Sequence, residues 1–131
     1  MPVQPTDRPR EAPSERLAPP FGSFNLRKAA QELEAEPRPT ANGHRQKVLA
    51  RHGGATVAIY LFDAGAELKP HAAAGTVTIQ CIEGELALTA DGAPVPLHPG
   101  ELLVMAPNVR HGVRALQRSI LLLTVSLQPG S

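Results

Sequence analysis

Two histidines, His71 and His111, are the residues of this chain best suited to chemistry. Imidazole ligates first-row metals, exchanges protons near neutral pH and forms hydrogen bonds at either ring nitrogen. Each histidine sits in a frame of small and turn-forming residues. The first frame reads Gly65-x5-His71-x-Ala73-x3-Val77-x6-Gly84, and the second Gly100-x5-Ala106-x-Asn108-x2-His111. His71 follows Pro70 and precedes an apolar run, so it reads as the place where a loop enters a sheet. His111 follows Pro107-Asn108-Val109-Arg110 and begins another strand. Neighbouring strands would bring the two rings together. Tyr60, the only tyrosine, is the one phenol available as an acid, and with Gln80 it completes the candidate ligand-binding set. Cys81 lies in an apolar run, where a thiol is buried and inert.

The elements that position these groups are short. Strands are predicted at Gln46–Arg51, Thr56–Phe62, Val77–Ile82, Glu85–Ala90, Val95–Leu97, Leu102–Met105, His111–Ala115 and Ile120–Leu127. Turns fall at His52-Gly53-Gly54, Asp63-Ala64-Gly65, Glu83-Gly84, Asp91-Gly92 and His98-Pro99-Gly100. Closely spaced strands without intervening helices point to an all-β sandwich or barrel. In the strand carrying Gln80, Thr76, Thr78 and Gln80 share one face, and Val77, Ile79 and Cys81 the other. An ordinary half-buried strand turns its polar set to solvent. Ile120–Val125 is apolar on both faces, so its second face needs a cover, from a helix or a second subunit.

Before the strands, residues 25–36 read as one helix. Asn25 is its N-cap, Leu26, Ala29, Ala30 and Leu33 recur at helical spacing, and Pro37 ends it. Residues 1–22 are rich in proline with few large apolar side chains, which predicts a disordered tail. The division is thus a tail at 1–22, a short helix and linker at 23–40, and a barrel at 41–131.

Composition narrows the function. The net charge is +1, so no long-range field favours nucleic acid or an anionic membrane, and with 3% aromatic residues and no Trp no base-stacking platforms are expected. One cysteine excludes an intrachain disulfide. No apolar stretch reaches the roughly 18 residues of a membrane span, and the N-terminus has no apolar signal core. The expected location is the cytoplasm.

The two histidine frames, in this order and register, resemble the motifs of the cupin superfamily, specifically its small single-domain conserved-barrel (cupin type-2) members. The likeness covers roughly the last 75 residues (~Thr56 to Leu127). The first motif of that family is Gly-x5-His-x-His-x3/4-Glu-x6-Gly, matched here by Gly65, His71 and Gly84. The second is Gly-x5-Pro-x-Gly-x2-His-x3-Asn, matched by Gly100 and His111. Asn108 stands where glycine is usual, a swap that a left-handed backbone tolerates. The resemblance implies a double-stranded β-helix, or jelly-roll barrel, and a homodimer. It also implies a metal held by three histidines and a glutamate, but Ala73 and Val77 occupy two of those four positions. His71 and His111 remain as candidate ligands for Fe, Mn, Ni or Zn. Three readings stay open: a barrel binding a small organic ligand beside an incomplete metal site, a metal-dependent enzyme of dioxygenase or isomerase type, and a metal-free barrel acting in protein interaction.

Overall fold

The structure, a computed structural model, describes residues 19–37 and 43–127. Most of the expected proline-rich tail lies outside the described residues. Helix α1 (Leu26–Glu34) is followed by strands β1 (His44–His52), β2 (Ala55–Phe62), β3 (Glu67–His71), β4 (Thr76–Glu83), β5 (Leu86–Ala90), β6 (Ala93–Leu97), β7 (Leu102–Met105), β8 (His111–Ala115) and β9 (Ser119–Ser126). The strands form two antiparallel sheets. One has the order β1-β2-β9-β4-β7 and the other β3-β8-β5-β6. The all-β fold, with one short helix before the strands among the described residues, is as the sequence predicts.

Alternation in β4 decides which face is inside. Val77, Ile79 and Cys81 are buried in the cluster between the sheets, together with Phe62, Leu86, Leu88, Val113, Ala115, Leu121 and Leu123. Thr76, Thr78 and Gln80 point to the outer side of the five-stranded sheet. A second cluster lies on that outer side, where Ala29, Ala30 and Leu33 of α1 pack on Ile59, Leu61 and Ile120, with Leu122 against them. Asn25 caps the helix, its side chain accepting a hydrogen bond from the Lys28 backbone N–H at 2.9 Å. Arg118 donates to Glu34 at 2.8 Å and to Glu83 at 3.1 Å, and Arg27 reaches Glu83 at 2.7 Å. These exposed pairs add little energy, about 0–1 kcal/mol each, so the apolar stripe does most of the docking. The helix thus supplies the cover that the two-faced strand requires, over Ile120 and part of Leu122.

Strand β3 corrects the sequence reading. His71 does not start a strand; it ends one. The run Glu67-Leu68-Lys69-Pro70-His71 has neither clean alternation nor a proline-free interior, so it carries no strand signal. Proline is tolerated here because β3 is an edge, where one N–H side needs no partner. The opposite edge, β6, carries Pro94 and Pro96 for the same reason.

Candidate functional site

His71 and His111 meet because β3 pairs with β8. The two are direct partners across the ladder, past a register shift between Leu68 and His71. Their ring centroids lie 4.5 Å apart, with the planes at 55°. Gly112 permits this closeness: a Cβ there would come within 3.2 Å of Pro70 Cγ and 3.4 Å of Leu68 O. A second tie joins the loops that hold the pair. Asn108, at φ 70°, donates its backbone N–H to Ala73 O at 2.8 Å.

Each ring is oriented by its own strand. His71 Nδ1 lies 3.0 Å from Lys69 O, and His111 Nδ1 lies 3.0 Å from Val109 O. A carbonyl only accepts, so both Nδ1 atoms carry the proton and both Nε2 atoms face away from these contacts. His111 is 2% exposed and belongs to the barrel wall, whereas His71 is exposed at the rim. The pair therefore spans from the interior to solvent at one end of the barrel.

The side chains at the two remaining motif positions are apolar. Val77 is buried in the inner cluster, and Ala73 and Val109 pack against it. Where the motif would place a histidine and a carboxylate, a methyl and an isopropyl group stand instead. Among the described residues, no group of three or more His, Cys, Asp or Glu gathers that could hold a metal ion. A complete four-ligand centre does not fit this donor set. Two imidazoles are all it offers, against the roughly three protein ligands of catalytic metal sites.

The other two candidates have different neighbours from the pair. Gln80 lies on the outer face of β4, opposite Leu102 and Leu122, because its inward neighbours Ile79 and Cys81 fill the core. Tyr60 does face inward, but its ring neighbours are His44 at 5.7 Å and Phe62 at 6.1 Å. It is level with Leu121 and Cys81, whereas Val77 is level with Val125. That is four residues along the sheet, or about 13 Å at the usual rise of a strand. Burial raises the Tyr60 pKa, which makes the phenol a poorer acid.

Sequence reasoning passed over His44. It is buried and stacks on Phe62 at 5.4 Å. Desolvation lowers its pKa, opposed by a hydrogen bond with Gln46. Its place at the start of β1, opposite Phe62, is a long-range pairing that no local pattern signals. Cys81 is buried, and its pKa is raised by desolvation first and then by the charge of Glu101, as expected of an inert thiol. His98 sits at the other end of the barrel, 3.3 Å from Glu85 and 3.2 Å from Glu101. A groove of about 260 Å³ between α1 and β1, lined by Phe24, Lys28, Glu32, Lys47, Val48 and Leu49, includes neither His71 nor His111.

Comparison with known proteins agrees with this architecture. The Cupin domain profile matches residues 58–126, more than half of the chain. Among solved structures, an RmlC-like cupin from Desulfovibrio desulfuricans aligns with a TM-score of 0.66 and 28% identity, over 81% of this chain and 96% of that one. An RmlC-like cupin from Shewanella frigidimarina gives 0.65 and 26% identity, over 71% and 84%. A salicylate 1,2-dioxygenase from Pseudoaminobacter salicylatoxidans gives 0.73 at 19% identity. That likeness is one of fold, covering 84% of this chain and 34% of the dioxygenase. No curated protein matches the sequence. No helix among the described residues is long and apolar enough to cross a membrane.

Proposed function

Starting from the Cupin domain family, to which this chain belongs, we propose that the barrel binds a small organic molecule at the end marked by His71 and His111, without a resident metal. The fold hosts many activities, so the reading rests on the site and not on the family. One observation carries it. Two rings 4.5 Å apart have their Nδ1 atoms tied to backbone, and the motif positions 73 and 77 carry an alanine and a valine of the inner apolar cluster. The arrangement provides two oriented hydrogen-bonding groups against an apolar wall, the composition of a small-molecule site. The test is metal analysis of tag-free protein. The expected result is far less than one Fe, Mn, Ni or Zn per chain. A near-stoichiometric metal that disappears in His71→Ala and His111→Ala would overturn the proposal.

That second outcome belongs to the metal-dependent reading, dioxygenase or isomerase in type. The 4.5 Å ring separation is the observation in its favour, since two imidazoles at this spacing can share one ion. The bound ligand or water would then have to supply the remaining coordination.

We also propose a homodimer. Outside the part covered by α1, the outer face of β9, β4 and β7 presents Leu122, Thr124, Thr78, Gln80, Leu102 and Val104. Leu102 is 57% and Val104 58% exposed. None of these side chains is charged. A two-fold axis would set such a face against itself without like-charge repulsion. Analytical ultracentrifugation should find a dimer that Val104→Lys dissociates; a wild-type monomer would end the proposal.

A further inference from the structure

The hydrogen-bond polarity of the histidine pair has a chemical consequence for the ligand. We infer that this end of the barrel selects a neutral, hydroxyl-bearing molecule with an apolar body, and discriminates against carboxylates and ammonium ions. The inference rests on the small-ligand reading above and adds a ligand class to it.

Two carbonyl oxygens fix the tautomers of the pair. Lys69 O and Val109 O each accept from the Nδ1 of the histidine two residues later, both at 3.0 Å. The single proton of a neutral imidazole is thereby committed to Nδ1 in both rings. Neither Nε2 takes a protein hydrogen bond among the described residues, so each presents a lone pair. The site then offers two acceptors and no donor from its histidines.

A carboxylate would bring lone pairs against lone pairs. A hydroxyl brings its own proton, and it does so without a net charge. An ammonium group also donates, but the two imidazoles carry no negative charge to pair with it, and Ala73, Val77 and Val109, which belong to or pack on the inner apolar cluster, supply none either. Burying a charge without a partner is costly, whereas burying a hydroxyl that is hydrogen-bonded is not. The same three side chains favour an apolar body behind the hydroxyl. His71 is exposed and His111 is in the wall, so the hydroxyl enters past the first ring to reach the second.

Three probes with one body and different heads test this: 4-methylphenol, 4-methylbenzoate and 4-methylbenzylamine. Binding is read from the side-chain ¹⁵N resonances of selectively labelled histidine at about pH 8.5, above the ordinary imidazole range. The expected result is that 4-methylphenol shifts the Nε2 signals of both His71 and His111 and binds at least about tenfold tighter than the other two. His71→Phe keeps a ring at the exposed position without an acceptor, so it should lose roughly that factor while the protein stays folded. If the benzoate or the amine binds as tightly as the phenol, the polarity inference fails and the small-ligand reading survives. If none of the three shifts either histidine at about 10 mM, a fragment-level concentration, the small-ligand reading fails and takes the inference with it.

Discussion

The two ends of the barrel are built from the same strands but solve different problems. At one end, the turns after β4 and β8 lock together. Ser119 is fully buried; its Oγ accepts from the Glu85 backbone N–H at 3.0 Å and donates to Gln117 O at 2.7 Å. Gly84, at φ 96°, has no room for a side chain, since a Cβ would strike Ser119 Oγ and Arg118 O. At the other end, the loops that follow β3 and β7 are joined by one backbone hydrogen bond, Asn108 to Ala73, and hold the two histidines between them. The closed end spends its polar groups on itself. The open end leaves Nε2 atoms turned away from its backbone. The locked turns and the histidine pair thus lie apart along the barrel, and substitutions at the two ends should differ in what they change.

The largest effect should come from the closed end. Gly84→Ala combines a left-handed backbone with a clash against fixed backbone atoms, so we expect a loss of about 3 kcal/mol or more of folding stability. Denaturant midpoints at constant m-value measure it. A loss under about 1 kcal/mol would mean the two turns are not locked as described.

Next in size is a change that would make the open end a metal site. Ala73→His restores a third imidazole at the motif position, and divalent-metal affinity should rise roughly tenfold or more, the scale on which a ligand environment acts. Isothermal titration with Zn²⁺ reads the difference. Equal affinities in the two proteins would show that residue 73 does not reach the pair, and with that the account of what the site has lost would fall.

How much of this was legible in the sequence follows from the range of the interactions involved. The barrel was legible because turn glycines and period-2 alternation are local: Gly53, Gly65, Gly84, Gly92 and Gly100 all adopt positive φ, as turns require. The helix was legible from Asn25, a four-residue stripe and Pro37. Strand β3 was not, since an edge strand with Pro70 pairs through tertiary context against its own propensity. The two histidines could be placed at strand ends, but their cross-strand register depends on an irregularity between Leu68 and His71 that no composition reveals. Gln80 lies on the outer face with Thr76 and Thr78, where the clean alternation of its strand places the polar set, and does not share the inner face with Val77. The ring partners of Tyr60, His44 and Phe62, lie on β1 and β2, so an inward-facing phenol does not by itself mean a phenol beside the histidines.

A smaller effect concerns protons, and it again distinguishes the ends. His44 stacks on Phe62 near the closed end, and burial holds its folded-state pKa below 6.5. The unfolded chain therefore takes up the proton first as pH falls. The stability that the neutral ring contributes is full above pH 6.5 and is lost as pH drops through the lowered folded-state value. Thermal melts of the wild type should decline over that window, and His44→Leu should decline less. Parallel declines would place the responsible group elsewhere.

The smallest effect is expected for Asn108→Gly, and its smallness is informative. Asn108 holds φ 70° and uses only its backbone N–H to reach Ala73 O. Glycine takes this conformation without strain but adds freedom to the unfolded chain, so the two terms oppose each other. Asn108→Gly should shift stability by no more than about 0.5 kcal/mol in either direction, whereas Asn108→Val, β-branched and forced into the left-handed region, should cost roughly 1–3 kcal/mol. The two variants differ in a second readout. If the Asn108–Ala73 bond sets the spacing of the histidine loops, the valine variant should also perturb the ¹⁵N signals of His71 and His111, while the glycine variant leaves them in place. A valine variant that loses stability but keeps both histidine signals would show that the open end is held by the β3–β8 pairing alone. Gly112, which lets those strands approach, would then be the residue on which the geometry of the pair depends.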